Sequence, residues 1–241
     1  MRTLWHKLRS HLLEPLLDVL YPPVCVHCQE PVSNGNTLPL CGTCRSQLIP
    51  INPEWVHQQV FQRIESPQLD GLIVALEFNS VVQSLIHQLK YRMMAKIGKQ
   101  LGELIAPLVA NQLPPMRHWM VIPVPLHPRR RRERGYNQSE QIAGGLASQL
   151  GWVVEPGRLH RIRHTRSQTN LNRMERQQNV NEAFRAAFPF EPVDAVLLVD
   201  DVVTTGATMN ACASALKRAG VKTVIGIAVA TPRTIFNEIS L

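Results

Sequence analysis

Hydrophobic positions change their spacing several times along the chain, and each change marks an element. In residues 1–20, Leu4, Leu8, Leu12, Leu16 and Val19 recur at helical intervals between charges. That predicts an amphipathic helix whose apolar face packs on protein rather than on a membrane surface. Residues 46–70 lose the pattern and hold Pro50, Pro53 and Pro67, which predicts a linker with at most a short helix over 54–64. Residues 72–78 (LIVALEF) read as a strand, and 81–91 and 97–111 as helices, with Asn79 and Ser80 as a cap signal. A second strand, 119–125 (WMVIPVP), leads through a basic turn into a helix that Asn137 or Ser139 caps and that runs through Leu150. Residues 158–184 are polar, rich in Arg and Gln and weakly periodic, and read as a long loop with a helical end. The apolar run 195–199 predicts a strand buried on both faces, followed by a helix ending near Gly220 and a last strand over 222–230. Strands alternating with helices predict an α/β fold with a mostly parallel sheet. The expected division is an N-terminal segment, 1–66, and an α/β domain, 67–241.

The chemistry concentrates where the 195–199 strand ends. Asp200 and Asp201 stand side by side at its C-terminal end, where open α/β sheets bind ligands. Thr204, Thr205, Gly206, Ala207 and Thr208 follow and open a helix. A glycine with free φ, successive N–H groups, hydroxyls and a helix N-terminus make an anion cradle. Acids beside such a cradle suit a sugar phosphate. A P-loop is excluded, because Gly-x4-Gly-Lys-Ser/Thr occurs nowhere.

Composition changes the picture at two places. The formal net charge is +8, and residues 129–176 hold eleven Arg, no Lys and four Glu, so +7 of the excess lies in one fifth of the chain. Arginine in place of lysine favours forked contacts with phosphate or carboxylate, which points to pyrophosphate, nucleic acid or both. Arg129, Arg130, Arg131, Arg132 and Arg134 crowd into six residues, more than a short ligand can use; the bland alternative is a solvated basic turn. No apolar run reaches the roughly 18 residues of a membrane helix.

The second place is Cys25-Val-His-Cys28 and, twelve residues on, Cys41-Gly-Thr-Cys44. Two C-x2-C pairs around a short Gly/Pro/Asn-containing loop match a four-thiolate zinc knuckle. Four thiolates close the coordination sphere, so the zinc is structural, and so few apolar residues separate the pairs that folding should depend on it. A disulfide reading requires an oxidising compartment, and the N-terminus makes a poor signal peptide. His27 sits inside a pair whose ligand set is already complete and is expected to be exposed. Cys212, among Ala211, Ala213 and Ala215, reads as a packing residue.

LLVDDVVTTGAT resembles the phosphoribosyl-pyrophosphate (PRPP) motif of type I phosphoribosyltransferases. The resemblance implies that Asp200 and Asp201 are the catalytic acids that orient the ribose hydroxyls. It also implies that Thr204, Thr205, Gly206, Ala207 and Thr208 hold the 5′-phosphate. His127, Arg129 and Arg166 would face the pyrophosphate, with Mg²⁺ arriving on PRPP. The whole layout is similar to the ComF/GntX family: the four-cysteine module, LKYR, IPVPLHPRRRRERGYNQSEQIA, RHTRSQTNLNRMERQQNV and LVDDVVTTGAT, in that order. Membership implies a type I phosphoribosyltransferase fold, Rossmann-like, with a small zinc-ribbon-like module. It further implies a cytoplasmic bacterial protein serving natural competence or the use of external DNA, without membrane insertion, alongside DNA-uptake or recombination-mediator proteins. Single-stranded DNA is the expected partner, with Arg130, Arg131, Arg132, Arg134, Tyr136 and Arg163 as candidate contacts. In the family's fold, a loop in the region 158–184 closes over PRPP, with Arg163, Thr165, Arg166, Gln168, Thr169 and Arg176 as contributors. Catalytic transfer to a nitrogen acceptor is the alternative activity, and nothing in the sequence names that acceptor.

Overall fold

The computed structural model describes residues 23–32, 38–91, 94–115, 119–162, 183–187 and 195–233. The expected N-terminal helix and the loop residues Arg163, Thr165, Arg166, Gln168, Thr169 and Arg176 lie outside them. In chain order the described elements begin with helices α1 (Gly42–Arg45) and α2 (Pro53–Gln59). Strand β1 (Gly71–Glu77) and helices α3 (Ser80–Tyr91) and α4 (Ala95–Ala110) come next. Strand β2 (Met120–Pro123), helices α5 (Pro128–Arg134) and α6 (Gln138–Leu150), and β3 (Val153–Val154) follow. The short strands β4 (Leu159–Arg161) and β5 (Phe184–Ala186) precede β6 (Ala195–Val202), α7 (Ala207–Arg218) and β7 (Thr223–Thr231).

Five strands form one sheet in the order β1-β7-β6-β2-β3, and every neighbouring pair is parallel. The reason is written in β6, where five successive apolar residues are buried. Leu197 and Val199 pack with α3, α4 and α6 on one face, while Val196 and Leu198 pack with α2 and α7 on the other. A strand covered on both sides has no solvent face to alternate toward. The helices α4 and α6 approach at glycines: a Cβ on Gly102 would lie 2.1 Å from the Ile142 carbonyl oxygen, and one on Gly145 would lie 1.9 Å from that of Lys99.

From β2 the chain moves outward to the edge strand β3. It then returns to β6 on the other side of β2 and continues away through β7. The strand order therefore reverses between β2 and β6, and the crevice above their C-terminal ends is the switch point at which open sheets take ligands. Register sets Pro123 of β2 beside Val199 of β6, directly before Asp200 and Asp201.

Two stretches differ from their expected form. Residues 46–70 are packed: Ile51, Val56, Val60 and Ile64 are buried in the core under α2 and a following 3-10 turn. Asn52 caps α2 through its side chain, which accepts from the N–H groups of Glu54 and Trp55. The prolines mark the ends of these elements, and the apolar spacing between them is helical. The basic stretch is a helix rather than a turn. Pro128 occupies its first position, the His127 ring accepts from Arg129 N at 3.2 Å, and Gly135 ends it at φ 77°. Pro at the start and Gly at the end bound a run of good helix formers.

Candidate functional site

The acid pair stands at the crevice. Asp200 Oδ1 accepts a hydrogen bond from Ser139 Oγ at 2.8 Å and another from the N–H of Asp201 at 2.9 Å. Ser139 reaches it because Asn137 caps α6, accepting from Ser139 N at 3.1 Å while donating to the Val124 carbonyl at 3.0 Å. One cap thus fixes the helix, the end of β2 and the serine together. Asp201 is 4% exposed, its Oδ1 accepts from Val202 N, and its Oδ2 lies 2.6 Å from the Lys90 ammonium. Burial pushes the Asp200 carboxyl up to about 7, and the neighbouring Asp201 charge adds to this against the Ser139 hydrogen bond. The pair therefore carries less negative charge near neutrality than two free carboxylates would.

Past β6 the chain turns into the cradle. Thr204, Thr205, Ala207 and Thr208 are exposed, and Gly206 is buried at φ 72° with Ile64 beneath it. Gly206 is the N-cap of α7, and no side chain caps that helix. Its first-turn N–H groups are left for a ligand or water. Cys212, on the buried face of α7, is 0% exposed and packs among alanines. Burial holds its thiol far above the ordinary range, as suits a packing residue.

The arginines of α5, alike in sequence, sort into two groups. Arg129 pairs with Glu133, Arg131 grips Glu140 with two N–H groups at 3.0 and 3.4 Å, and Arg134 donates to Gln138 while lying over Tyr91. Among the described residues, Arg130 and Arg132 show neither an ion pair nor a side-chain hydrogen bond. Tyr136 is turned inward, and its hydroxyl donates to the Leu89 carbonyl. Segment 89–91 is thereby tied to the basic helix from one side and, through Lys90, to Asp201 from the other. Arg163 and Arg166 lie outside the described residues.

In the sequence, LKYR stands out only as one block of the family layout, and nothing there assigns Lys90 to Asp201. Ser139 reads there only as a cap. Arg161, close enough to Asp200 for their charges to interact, was not singled out at all.

The four cysteines Cys25, Cys28, Cys41 and Cys44 come together with all Sγ atoms within 4.8 Å of one another. Cys28 and Cys41 approach to 3.6 Å, close to the sulfur spacing of a tetrahedral zinc with bonds of about 2.3 Å. Burial raises the Cys25 thiol, but hydrogen bonds from the backbone of Cys28, Cys41 and His27 outweigh it and bring the pKa down to about 6. A thiolate held in N–H groups beside three further thiols fits a dication. His27 turns away, half-buried, with Nδ1 at 3.0 Å from Ser84 Oγ. The cluster is not an independent appendage. Cys25, Leu38, Leu40 and Cys44 belong to the same core as α3 and β1, and residues 49–51 run antiparallel along the β1 edge.

Comparison with known proteins agrees with this geometry. The phosphoribosyl transferase domain pattern matches residues 137–234, and the double zinc ribbon pattern matches residues 16–55. The chain is 32% identical to the DNA utilization protein YhgH of Salmonella typhimurium, covering 83% of this chain and 81% of that protein. Competence protein F of Haemophilus influenzae is 28% identical, over 83% of this chain and 87% of that protein. Competence protein ComFC of Streptococcus pneumoniae is 32% identical over 52% of this chain and 53% of that protein.

Proposed function

Because this chain belongs to the family of competence protein F and DNA utilization protein YhgH, we propose that it is a PRPP-binding protein of DNA uptake or DNA utilization. The observation that carries the reading is the joint geometry at the switch point. Two acids end the central strand, directly before an uncapped helix N-terminus whose N-cap glycine is left-handed. The 5′-phosphate takes the N–H groups of the loop from Thr204 to Thr208. The ribose hydroxyls donate to Asp200 and Asp201, each carboxylate being held by its own partner, Ser139 or Lys90. Arg130, exposed on the helix that follows β2, is the cation offered to the pyrophosphate. Magnesium would arrive on the phosphates of PRPP, since Asp201 is already paired with Lys90 and the acid pair is no preformed cage. The thiolate knuckle takes a structural zinc that keeps the N-terminal segment on α3 and β1.

Single-stranded DNA is the proposed partner. Arg130 and Arg132, without intramolecular partners among the described residues, are the phosphate contacts that the basic helix offers. A catalytic reading, displacement of pyrophosphate from PRPP by a nitrogen nucleophile, uses the same residues and needs an acceptor. Calorimetric titration with Mg·PRPP tests the proposal. Binding by the wild type that is lost in Asp200→Ala/Asp201→Ala supports it. Absence of binding in a folded, zinc-loaded wild type refutes it.

A further inference from the structure

The loop around Gly206 rests on a stretch that is distant in the chain. A Cβ at Gly206 would lie 2.7 Å from Ile64 Cδ1 and 3.0 Å from its Cγ1, so the Ile64 side chain fills the space directly beneath that glycine. Ile64 closes the 3-10 turn Phe61–Arg63, its N–H donating to the Phe61 carbonyl at 3.1 Å, and is buried in the same core as Met209. Two residues on, Ser66 is left-handed at φ 50°, one of two non-glycine residues with positive φ among the described residues. Asn210, in the first turn of α7 and 8% exposed, holds that conformation. Its Oδ1 accepts from Gln68 N at 2.6 Å, and its Nδ2 donates to the Ser66 carbonyl at 3.4 Å. Its own N–H donates to the Gly206 carbonyl at 2.8 Å, the bond that closes the first turn of the helix. One buried asparagine thus ties the cradle's glycine to the turn that follows Ile64.

A glycine does not hold such a shape by itself. It populates positive and negative φ about equally readily, whereas an anion cradle needs one fixed backbone path along which successive N–H groups converge. A loop that must be ordered on binding loses affinity to that ordering. Ser66 points the same way from the other side of the contact. A left-handed serine is unfavourable and persists only where its surroundings over-determine it. We infer that Ile64 and Asn210 are positioning residues, which fix Gly206 in the left-handed conformation and preorganise the Thr204–Thr208 loop before a phosphate enters. They act through Gly206, and neither is assigned a contact with the ligand. The identity of that ligand rests on the sugar-phosphate reading above; the fixing of the loop does not. Residues 61–68 thereby become the floor of the site, although they precede β1 and belong to none of the motifs that mark it.

The test compares Ile64→Ala and Asn210→Ala with a truncation that only destabilises. Leu216 is fully buried in the same core and on the same helix, but in its last turn, about 15 Å along the axis from Gly206. Zinc-loaded, full-length wild type, Ile64→Ala, Asn210→Ala and Leu216→Ala are titrated with Mg·PRPP by calorimetry. The backbone ¹⁵N order parameter of Gly206 is measured in each without ligand. Ile64→Ala and Asn210→Ala should each bind about tenfold more weakly and show a lower Gly206 order parameter. Leu216→Ala should unfold at lower urea yet match the wild type in both readouts. Ile64→Val removes only the Cδ1 atom nearest the Gly206 position; it should fall between wild type and Ile64→Ala, and serves alone if the larger truncation does not fold. An unchanged order parameter in Ile64→Ala and Asn210→Ala overturns the inference, whether or not binding weakens, since the loop is then held without them. An equal loss in Leu216→Ala also overturns it, because the effect is then one of general stability. If the folded wild type binds no Mg·PRPP, the sugar-phosphate reading falls, and the Gly206 order parameters alone decide whether Ile64 and Asn210 fix the loop.

Discussion

Replacing Asp200 with Asn should stabilise the protein, and only above acid pH. Asp200 Oδ1 is an acceptor twice over, from Ser139 Oγ and from Asp201 N. An amide oxygen serves both bonds equally well, so Asn keeps the geometry and removes only the charge. The carboxyl is held up to about 7 by burial and by Asp201, whereas in an unfolded chain it titrates near 3.9. A raised carboxyl binds its proton more tightly in the folded state. Stability is therefore complete below about pH 4, falls as pH rises toward 7, and stays low above it. At about 1.4 kcal/mol per pH unit that interval amounts to roughly 4 kcal/mol. Asp200 is not fully closed to solvent, and screening reduces the expected penalty to about 2–4 kcal/mol. With about 2–4 °C per kcal/mol in a chain of this size, Asp200→Asn should melt roughly 5–15 °C higher at pH 8. Urea or thermal unfolding of both proteins, in half-unit steps from pH 4 to 8.5 with zinc present, measures the difference. The two curves should meet at the acid end and separate through pH 7. A constant offset, or an advantage that shrinks as pH rises, would refute the argument from the buried acid pair.

Lys90→Met removes the ammonium from a carboxylate that is 4% exposed. It should cost about 2–4 kcal/mol in urea unfolding at pH 8, with Lys90→Met/Asp201→Asn recovering most of the loss; no recovery would mean that Lys90 acts by packing alone. Gly145→Val forces α4 and α6 apart, where a Cβ already meets Lys99 backbone at 1.9 Å. A loss of at least about 3 kcal/mol is expected, and a near-neutral unfolding curve would contradict the close crossing. Zinc removal by a chelator, or Cys25→Ser, should unfold more than the knuckle, because Cys25 and Cys44 share a core with Leu85 and Leu89. Hydrogen exchange should then rise in α3 as well as in residues 23–48, and protection unchanged in α3 would show the module to be energetically separate. Oligo(dT) affinity should fall steeply with salt, and Arg130→Gln/Arg132→Gln should flatten the log–log slope by about 1–2; an unchanged slope assigns the phosphate contacts elsewhere.

The sequence by itself determined what depends on local pattern. The order of strands and helices follows from apolar periodicity, and β6 is legible as a doubly buried strand because its apolar run has no polar alternation. The acids at its end, the Gly206 loop and the two C-x2-C pairs are legible because each chemistry demands a fixed short spacing. Tertiary structure decided everything that depends on partners distant in the chain. Ser139 meets Asp200 from 61 residues away, and Lys90 meets Asp201 from a different helix. No local signal distinguishes either from an ordinary cap or a solvated lysine. The five arginines of α5 are one residue type in one short helix. Arg129 finds Glu133 within the helix itself, but only the placement of Glu140, Gln138 and Tyr91 around that helix separates Arg131 and Arg134, which hold the fold, from Arg130 and Arg132. The same limit explains residues 46–70, whose prolines suggested a linker. Burial of Ile51, Val56, Val60 and Ile64 against the sheet, a contact between elements, made that stretch part of the core.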